Sequence, residues 1–287
     1  MLKKWLNKVL SGRQSRQTEV RKEIIPAEEY RISADMISFA AEKTVKRLQE
    51  EGFKAYIVGG AVRDMLLGVE PKDFDVATDA TPEQVRKIFR RSRIIGRRFQ
   101  IVHVMTGPET IEVTTFRGGG KVQQNAHGRI MKDNTYGSIE EDAMRRDFTC
   151  NALYYDPIRE EILDFHNGVN DIADRSLVMI GDAAERYRED PVRILRAVRL
   201  SGKLGFSVEE STAAPIPEYA SRLKHEPVAR LFDEIMKLLF SGHARECLKK
   251  LNSLGVSDDI HPLLTALKSA EKAENRIISL ALKNTDE

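Results

Sequence analysis

The sequence predicts an α+β protein, a mixed-sheet head followed by an all-helical neck and body. The first half alternates short apolar runs of strand length with helical segments. From Asp190 onward almost every stretch repeats its apolar residues at helical spacing. A chain of 287 residues has room for two such domains, each with its own core.

Residues 1–32 make a basic arm. Lys3, Lys4, Lys8, Arg13, Arg16, Arg21 and Lys22 outnumber Glu19 and Glu23, while Leu2, Trp5, Leu6 and Val9 fall at helical spacing. Two readings stand: a frayed, flexible tail, or an amphipathic stripe making weak contact with an anionic membrane surface or RNA. The head spans 33–185. Ser33-Ala34-Asp35 opens a helical pattern that ends at Gly52. Strands are expected at 55–58, 74–77, 101–105 and 111–116, with helices near 62–67 and 82–90. Residues 118–137, with Gly118-Gly119-Gly120 and much polar sequence, read as a mobile loop. A helix over 138–148, a strand over 152–155 and a partner at 162–165 complete the head. The neck and body span 186–287, with helices near 191–204, 209–221, 230–240, 243–254 and 263–283.

Composition narrows the function. The net charge of +2 excludes a general polycation, so a nucleic-acid surface has to be a local patch. Cys150 and Cys247 are far apart and have no metal-type spacing, so reduced, buried thiols in a cytoplasmic protein are expected. No run approaches the roughly 18 apolar residues of a membrane span. The N-terminus has no apolar stretch with a cleavage site, and its arm leaves peripheral contact with an inner membrane open.

Three acids carry the chemistry. In Asp73-Phe74-Asp75, strand alternation puts both aspartates on one face and Phe74 in the core. Two like charges so close repel unless a cation lies between them, and hard oxygen donors suit Mg²⁺, with Mn²⁺ as a substitute. Glu112 interrupts an otherwise apolar and Thr-rich strand, and a place beside the aspartates would explain its cost. Such a trio suits two-metal phosphoryl transfer, although a surface strand with solvated acids reads the same way.

Val58-Gly59-Gly60-Ala61-Val62-Arg63-Asp64 leaves a strand and opens a helix. Its glycines let the backbone approach a phosphate, and Arg63 adds a charged donor; a plain strand-to-helix turn is the alternative. Glu189-Asp190-Pro191 is a helix start, with Pro191 at a favoured first position. Arg193, Arg196 and Arg199 then recur every three residues along one broad face.

These motifs resemble the nucleotidyltransferase superfamily, in the bacterial branch that holds CCA-adding enzymes and poly(A) polymerases. The match runs from Gly59–Asp64 and Asp73–Asp75 through Arg145-Arg146-Asp147-Phe148-Thr149-Cys150-Asn151-Ala152 to 188–199, in family order. The resemblance implies a nucleotidyltransferase-type head and a metal site on Asp73 and Asp75, with Glu112 as the third catalytic acid. It implies nucleotide contacts from Gly59, Gly60, Arg63, Arg146, Asp147, Asn151, Asp190, Arg193, Arg196 and Arg199. Asp190 and Arg193 would read the incoming base. An acceptor beside a donor complements an amino group next to a ring nitrogen, as on adenine and cytosine, without a template.

The segment Ile94-Ile95-Gly96-Arg97-Arg98-Phe99-Gln100-Ile101-Val102-His103-Val104 looks like the poly(A) polymerase signature, and Gln100-Ile101 stand where CCA-adding enzymes usually carry Gly-Thr. His103 also reads as an ordinary hydrogen-bonded strand histidine. The expectation is addition of AMP from ATP to RNA 3′ ends. A CCA-adding enzyme, a non-catalytic RNA-binding module and a transferase acting on a small molecule or protein are the rivals. Enzymes of this kind usually continue into further helices and a basic tail, whereas this sequence stops at Glu287.

Overall fold

The computed structural model describes residues 22–96, 100–119, 123–124, 130–132, 135–256, 258–272 and 285–286. Its head is built on an eight-stranded sheet. In chain order the strands are β1 (Glu23–Pro26), β2 (Ala55–Val58), β3 (Asp75–Thr78), β4 (Ser92–Ile95), β5 (Ile101–Thr106), β6 (Glu109–Thr115), β7 (Leu153–Asp156) and β8 (Glu161–Asp164). In space they run β1-β8-β7-β2-β3-β6-β5-β4. The pairing of β3 with β6 is parallel and the other neighbours are antiparallel, so the sheet is mixed as expected.

Two expectations near the N-terminus change. Residues 22–32 are part of the fold: β1 pairs with β8 along its whole length, and Ile25 and Ala27 are buried. The Ile24-Ile25 pair outweighs the basic composition around it. Most of the predicted arm, 1–21, lies outside the described residues. The first long helix, α1 (Phe39–Glu50), starts at Ser38 and not at Ser33. Ser38 Oγ accepts from the Ala41 amide at 3.1 Å, whereas Ser33 spends its hydroxyl on Asp35.

Helix α1 buries Ala40, Ala41, Val45 and Leu48 against one face of the sheet. Between the strands lie α2 (Gly60–Leu66), directly after β2, and α3 (Pro82–Ile88), fixed by a Thr81–Gln84 capping box with Pro82 in its first turn. Helix α4 (Ile139–Met144) covers part of the opposite face. There Ile139 and Ala143 close over Val58, Ala77, Phe116, Tyr154, Leu163 and Phe165. Tyr154 meets Phe116 and Phe165 edge-on, with centroids 6.4 and 5.8 Å apart. This aromatic lid stops short of β6, β5 and β4, whose second face carries the exposed Glu112 and Arg93.

The expected loop at 118–137 has a closed stem. Gly118 and Gly137 pack so tightly that a Cβ on Gly137 would lie 2.4 Å from Gly118 Cα. Within it Gln123–Gln124 pairs with Ile130–Lys132; the mobility expected of the rest falls outside the described residues.

Helices α5 (Gly168–Ala173) and α6 (Ala183–Glu189) lead into α7 (Val192–Leu204), α8 (Val228–Leu239), α9 (Ala244–Ser253) and α10 (Pro262–Lys272). Short helical turns at Glu210–Ala213 and Ile216–Ala220 fill the predicted helix at 209–221. Ser176–Leu177 of the head pairs with Ser207–Val208 of the body, which stitches the two regions together. Both cysteines are free and buried, and burial pushes the Cys150 thiol up to about 12. No described helix is long and apolar enough to cross a membrane.

Helices α7 and α9 touch at a glycine. A Cβ on Gly202 would sit 2.6 Å from Cys247 Sγ and 2.7 Å from its Cα. Gly202→Ala is therefore expected to destabilise the fold by about 1–3 kcal/mol through overpacking. Urea unfolding measures this, and an unchanged midpoint would contradict the tight crossing.

Candidate active site

The acids occupy the head surface beside the aromatic lid. Asp75 is the first residue of β3, and its parallel-register partner on β6 is Glu112. Paired residues on adjacent strands project to the same face, so the two carboxylates are neighbours. Asp73 precedes the strand, exposed like Asp75, with Phe74 buried between them. The alternation read from the sequence thus holds although Asp73 lies outside the strand. Across from Glu112 on β5 is His103, with Nε2 3.3 Å from Glu112 Oε1.

The cost of this crowding is visible in the acidity of Asp75. Its carboxyl is pushed up to about 6, first by partial loss of water and then by the charges of Glu112 and Asp73; Arg146 offsets only part of this. Among the described residues no three donors are already gathered around a metal position. The fit to a cation therefore rests on donor chemistry: two hard carboxylates face each other across adjacent strands, a third acid lies nearby, and their charge is only partly compensated.

On the β2 side of Asp75 the glycine motif meets residues far along the chain. Gly59 has φ of +79°, so an L-side chain would be strained there, and a Cβ would lie 3.6 Å from Arg146 Nη1. Arg146 is held by the Asp142 carboxylate at 3.1 Å and by the Tyr154 hydroxyl at 3.1 Å, and Tyr154 itself donates to Asp142 at 2.7 Å. Asp142 and Tyr154 escaped the sequence reading. The four-residue spacing of Asp142 and Arg146 on one helical stretch was the available signal.

Arg63 differs from the expectation. It is buried, donating to Asp64 Oδ1 at 2.9 and 2.7 Å and to Asn151 Oδ1 at 2.6 Å. It faces inward and braces Asn151 and the glycine turn, because two acceptors inside the fold satisfy its guanidinium.

Asp147 joins the head to the body. One oxygen accepts from Arg193 Nε at 2.8 Å and the other from Arg196. Burial alone would raise its acidity constant, but Arg196 and Arg193 outweigh that and hold the carboxyl below the ordinary range. Arg193 Nη1 also donates to the Arg186 carbonyl at 2.7 Å and to Glu189 at 3.1 Å. Arg186 grips the carbonyls of Arg145 and Arg146, each at 2.8 Å. Arg196 and Arg199 face the buried Glu234 at 3.7 and 3.5 Å. Glu234 was also missed. Its signal was a charge in the apolar stripe of α8, among Leu231, Ile235 and Leu238.

Asp190 and Arg193 do not pair with each other. Asp190 Oδ1 accepts from the Val192 amide at 3.1 Å and Oδ2 from Arg230 Nη2 at 2.6 Å. Arg193 Nη2 has no hydrogen bond among the described residues, and each Asp190 oxygen keeps a lone pair. A fixed acceptor and a free donor thus remain near the start of α7. Of the signature segment, residues 97–99 lie outside the described residues, Ile94 and Ile95 are in β4, and His103 is beside Glu112.

Residues 55–178 match the poly A polymerase head domain family, and residues 205–268 match a family described as a probable RNA and SrmB-binding site of polymerase A. The chain is 48% identical to poly(A) polymerase I of Escherichia coli O6:H1 over 273 residues, 92% of this chain and 59% of that protein. It is 36% identical to the CCA-adding enzyme of Lactobacillus helveticus, over 77% of this chain and 54% of that protein. The crystal structure of the Bacillus stearothermophilus CCA-adding enzyme in complex with CTP superposes with a TM-score of 0.70 at 35% identity, covering 83% of this chain and 56% of that one. The chain therefore spans about three fifths of the length of the poly(A) polymerase it matches.

Two outcomes test this geometry. In the folded protein Asp75 keeps its proton up to about pH 6; unfolded, it loses it near the ordinary 3.8. The fold therefore loses stability as pH rises through this window, and the loss is complete above it. In chelator, Asp75→Asn is expected to melt higher than the parent at pH 7 and together with it below pH 3.8; equal melting at pH 7 would contradict the repulsion. Asp147→Asn strands two arginines and should cost on the order of 2 kcal/mol, less than the 3–5 of a fully buried pair because Arg196 is partly solvated. Unchanged unfolding would show that the bridge is not needed.

Proposed function

As the chain belongs to the poly(A) polymerase head-domain family, we propose that it transfers AMP from ATP to RNA 3′ ends, metal-dependently and without a template. The observation that carries the reading is the register pairing of Asp75 with Glu112 beside a glycine turn that packs on Arg146. The RNA 3′-hydroxyl oxygen forms a bond to the α-phosphorus, the bond to the β-phosphate bridge breaks, pyrophosphate leaves, and the hydroxyl proton passes to water. Mg²⁺ bound by Asp73 and Asp75, with Glu112 at its side, would supply charge neutralisation and activation of the attacking oxygen; Mn²⁺ would serve as well. Around that centre the residues bind and orient. Gly59 and Gly60 let the backbone reach the phosphates, Arg146 adds fixed positive charge, and Arg63 and Asn151 brace the turn.

Base choice in this reading belongs to Asp190 and Arg193. Asp190 accepts from the adenine amino group while Arg193 Nη2 donates to the adjacent ring nitrogen. Guanine and uracil present the reverse order and leave buried groups unpaired, at about 1–3 kcal/mol each. Asp147 and Arg196 keep Arg193 in place, and Arg199 supports the same face through Glu234. Cytosine satisfies the pair too, so preference for ATP over CTP falls to the surrounding pocket. The segment at 94–104 favours a poly(A) polymerase over a CCA-adding enzyme. The basic N-terminal residues would give weak contact with an anionic membrane surface from the cytoplasmic side.

Each of the four nucleotides is offered separately, with Mg²⁺, to a generic single-stranded RNA and to a tRNA lacking CCA. ATP alone should give a run of adenylates, and Asp75→Ala should abolish it without loss of fold. Two cytidylates and one adenylate added to the tRNA alone would make this a CCA-adding enzyme instead.

A further inference from the structure

Across the sheet, four polar residues stand in one cross-strand row. Asp75 pairs with Glu112, Glu112 with His103, and His103 with Arg93 of the edge strand β4. All four project to the face left open by the aromatic lid, while Val76, Val113, Val102 and Ile94 one residue on form the matching row beneath. The row thus runs from the acids to the rim over three strand spacings, roughly 14 Å.

The rim is strongly basic. From Gln84 to Pro108 the chain has no aspartate or glutamate, although it has 44 acids in all. Arg86, Lys87, Arg90, Arg91 and Arg93 fall in this stretch, all exposed, and none is ion-paired among the described residues. Elsewhere many arginines are ion-paired, as Arg193, Arg196 and Arg230 are. Behind the rim, toward α1, lies a cleft of about 380 Å³ lined by Lys43, Arg47, Phe89, Arg90, Arg91 and Val104.

Transfer to a phosphorus places the attacking and leaving oxygens roughly in line, on opposite sides. The glycine turn and Arg146 lie on the β2 side of Asp75. With the nucleotide phosphates there, the attacking strand has to arrive from the β6-β5-β4 side, where the unmatched cations are. We propose that the rim formed by Arg90, Arg91 and Arg93 binds the phosphodiester backbone of the RNA strand just upstream of its 3′ end. His103 lies between this track and Glu112. This assignment rests on the nucleotidyl-transfer reading for its direction, but its central claim is RNA binding.

The test uses the full chain and a fluorescent single-stranded oligoadenylate, read by anisotropy over a salt series. Arg90→Gln/Arg91→Gln/Arg93→Gln should bind at least about tenfold more weakly near 0.1 M salt, with the slope of log K against log salt reduced by about 2, or 0.7 per lost contact. Its melting temperature and its KM for ATP should match the parent's, and the corresponding triple Lys variant should restore affinity and slope. Unchanged affinity and slope in the Gln variant overturn the proposal, as does failure of a normally folded Lys variant to restore them. Lost binding to phosphatidylserine vesicles with RNA affinity intact gives the rim to a lipid surface and overturns it as well. If the parent extends no RNA, the transfer reading fails, while anisotropy still decides the rim.

Discussion

Asp147 stands where the sheet meets the helical body, and both its oxygens are taken by arginines of α7. That contact ties the helix to the head. With Arg193 fixed by Asp147, Glu189 and the Arg186 carbonyl, Nη2 alone has no hydrogen bond among the described residues. Arg186 in turn holds the backbone of Arg145 and Arg146, so the residue that packs on Gly59 and the residue assigned to the base are linked through a few hydrogen bonds. A partly buried bridge adds little to net stability compared with apolar packing. Its value in the proposed reading is geometric, since it sets the distance between the residues assigned to the phosphates and those assigned to the base.

A second constraint is the only partly compensated charge on the open face. Asp75 is held near pH 6 because water is partly excluded and two acids lie close. An aromatic lid covers the neighbouring half of the same face and leaves the acids at its border. The sheet thus has three zones: an aromatic half that packs, an acidic strip, and a basic rim. Proteins rarely keep such separated charge unless ligands bring the opposite sign.

Much of this was legible in the sequence, for definite reasons. Strands at 55–58 and 101–105 could be read because they are short, β-branched and bounded by polar residues, and Phe74 between its aspartates announced the alternation. The helical body could be read because α7 repeats its apolar residues with arginines at every third place. What escaped was set by tertiary contact. Ile24-Ile25 becomes a strand because β8 offers an edge, and Ser38 displaces Ser33 as a cap because Ser33 bonds Asp35. Arg63 faces inward since Asn151, 88 residues away, meets it there. Glu234 and Arg230 were missed because the partners that give them a place in the site, Arg196, Arg199 and Asp190, lie far along the chain.

The central claim is that Asp73 and Asp75 hold a cation beside Glu112 and that the nucleotide lies between it and α7. A crystal of the full chain with ATP and Mn²⁺, with anomalous density recorded at the metal edge, tests it most directly. The account predicts an anomalous peak at carboxylate distance from Asp73 and Asp75, beside Glu112, with the adenine edge on Asp190 and Arg193 Nη2. An ordered ATP with manganese away from both aspartates, or a base that touches neither Asp190 nor Arg193, would contradict it.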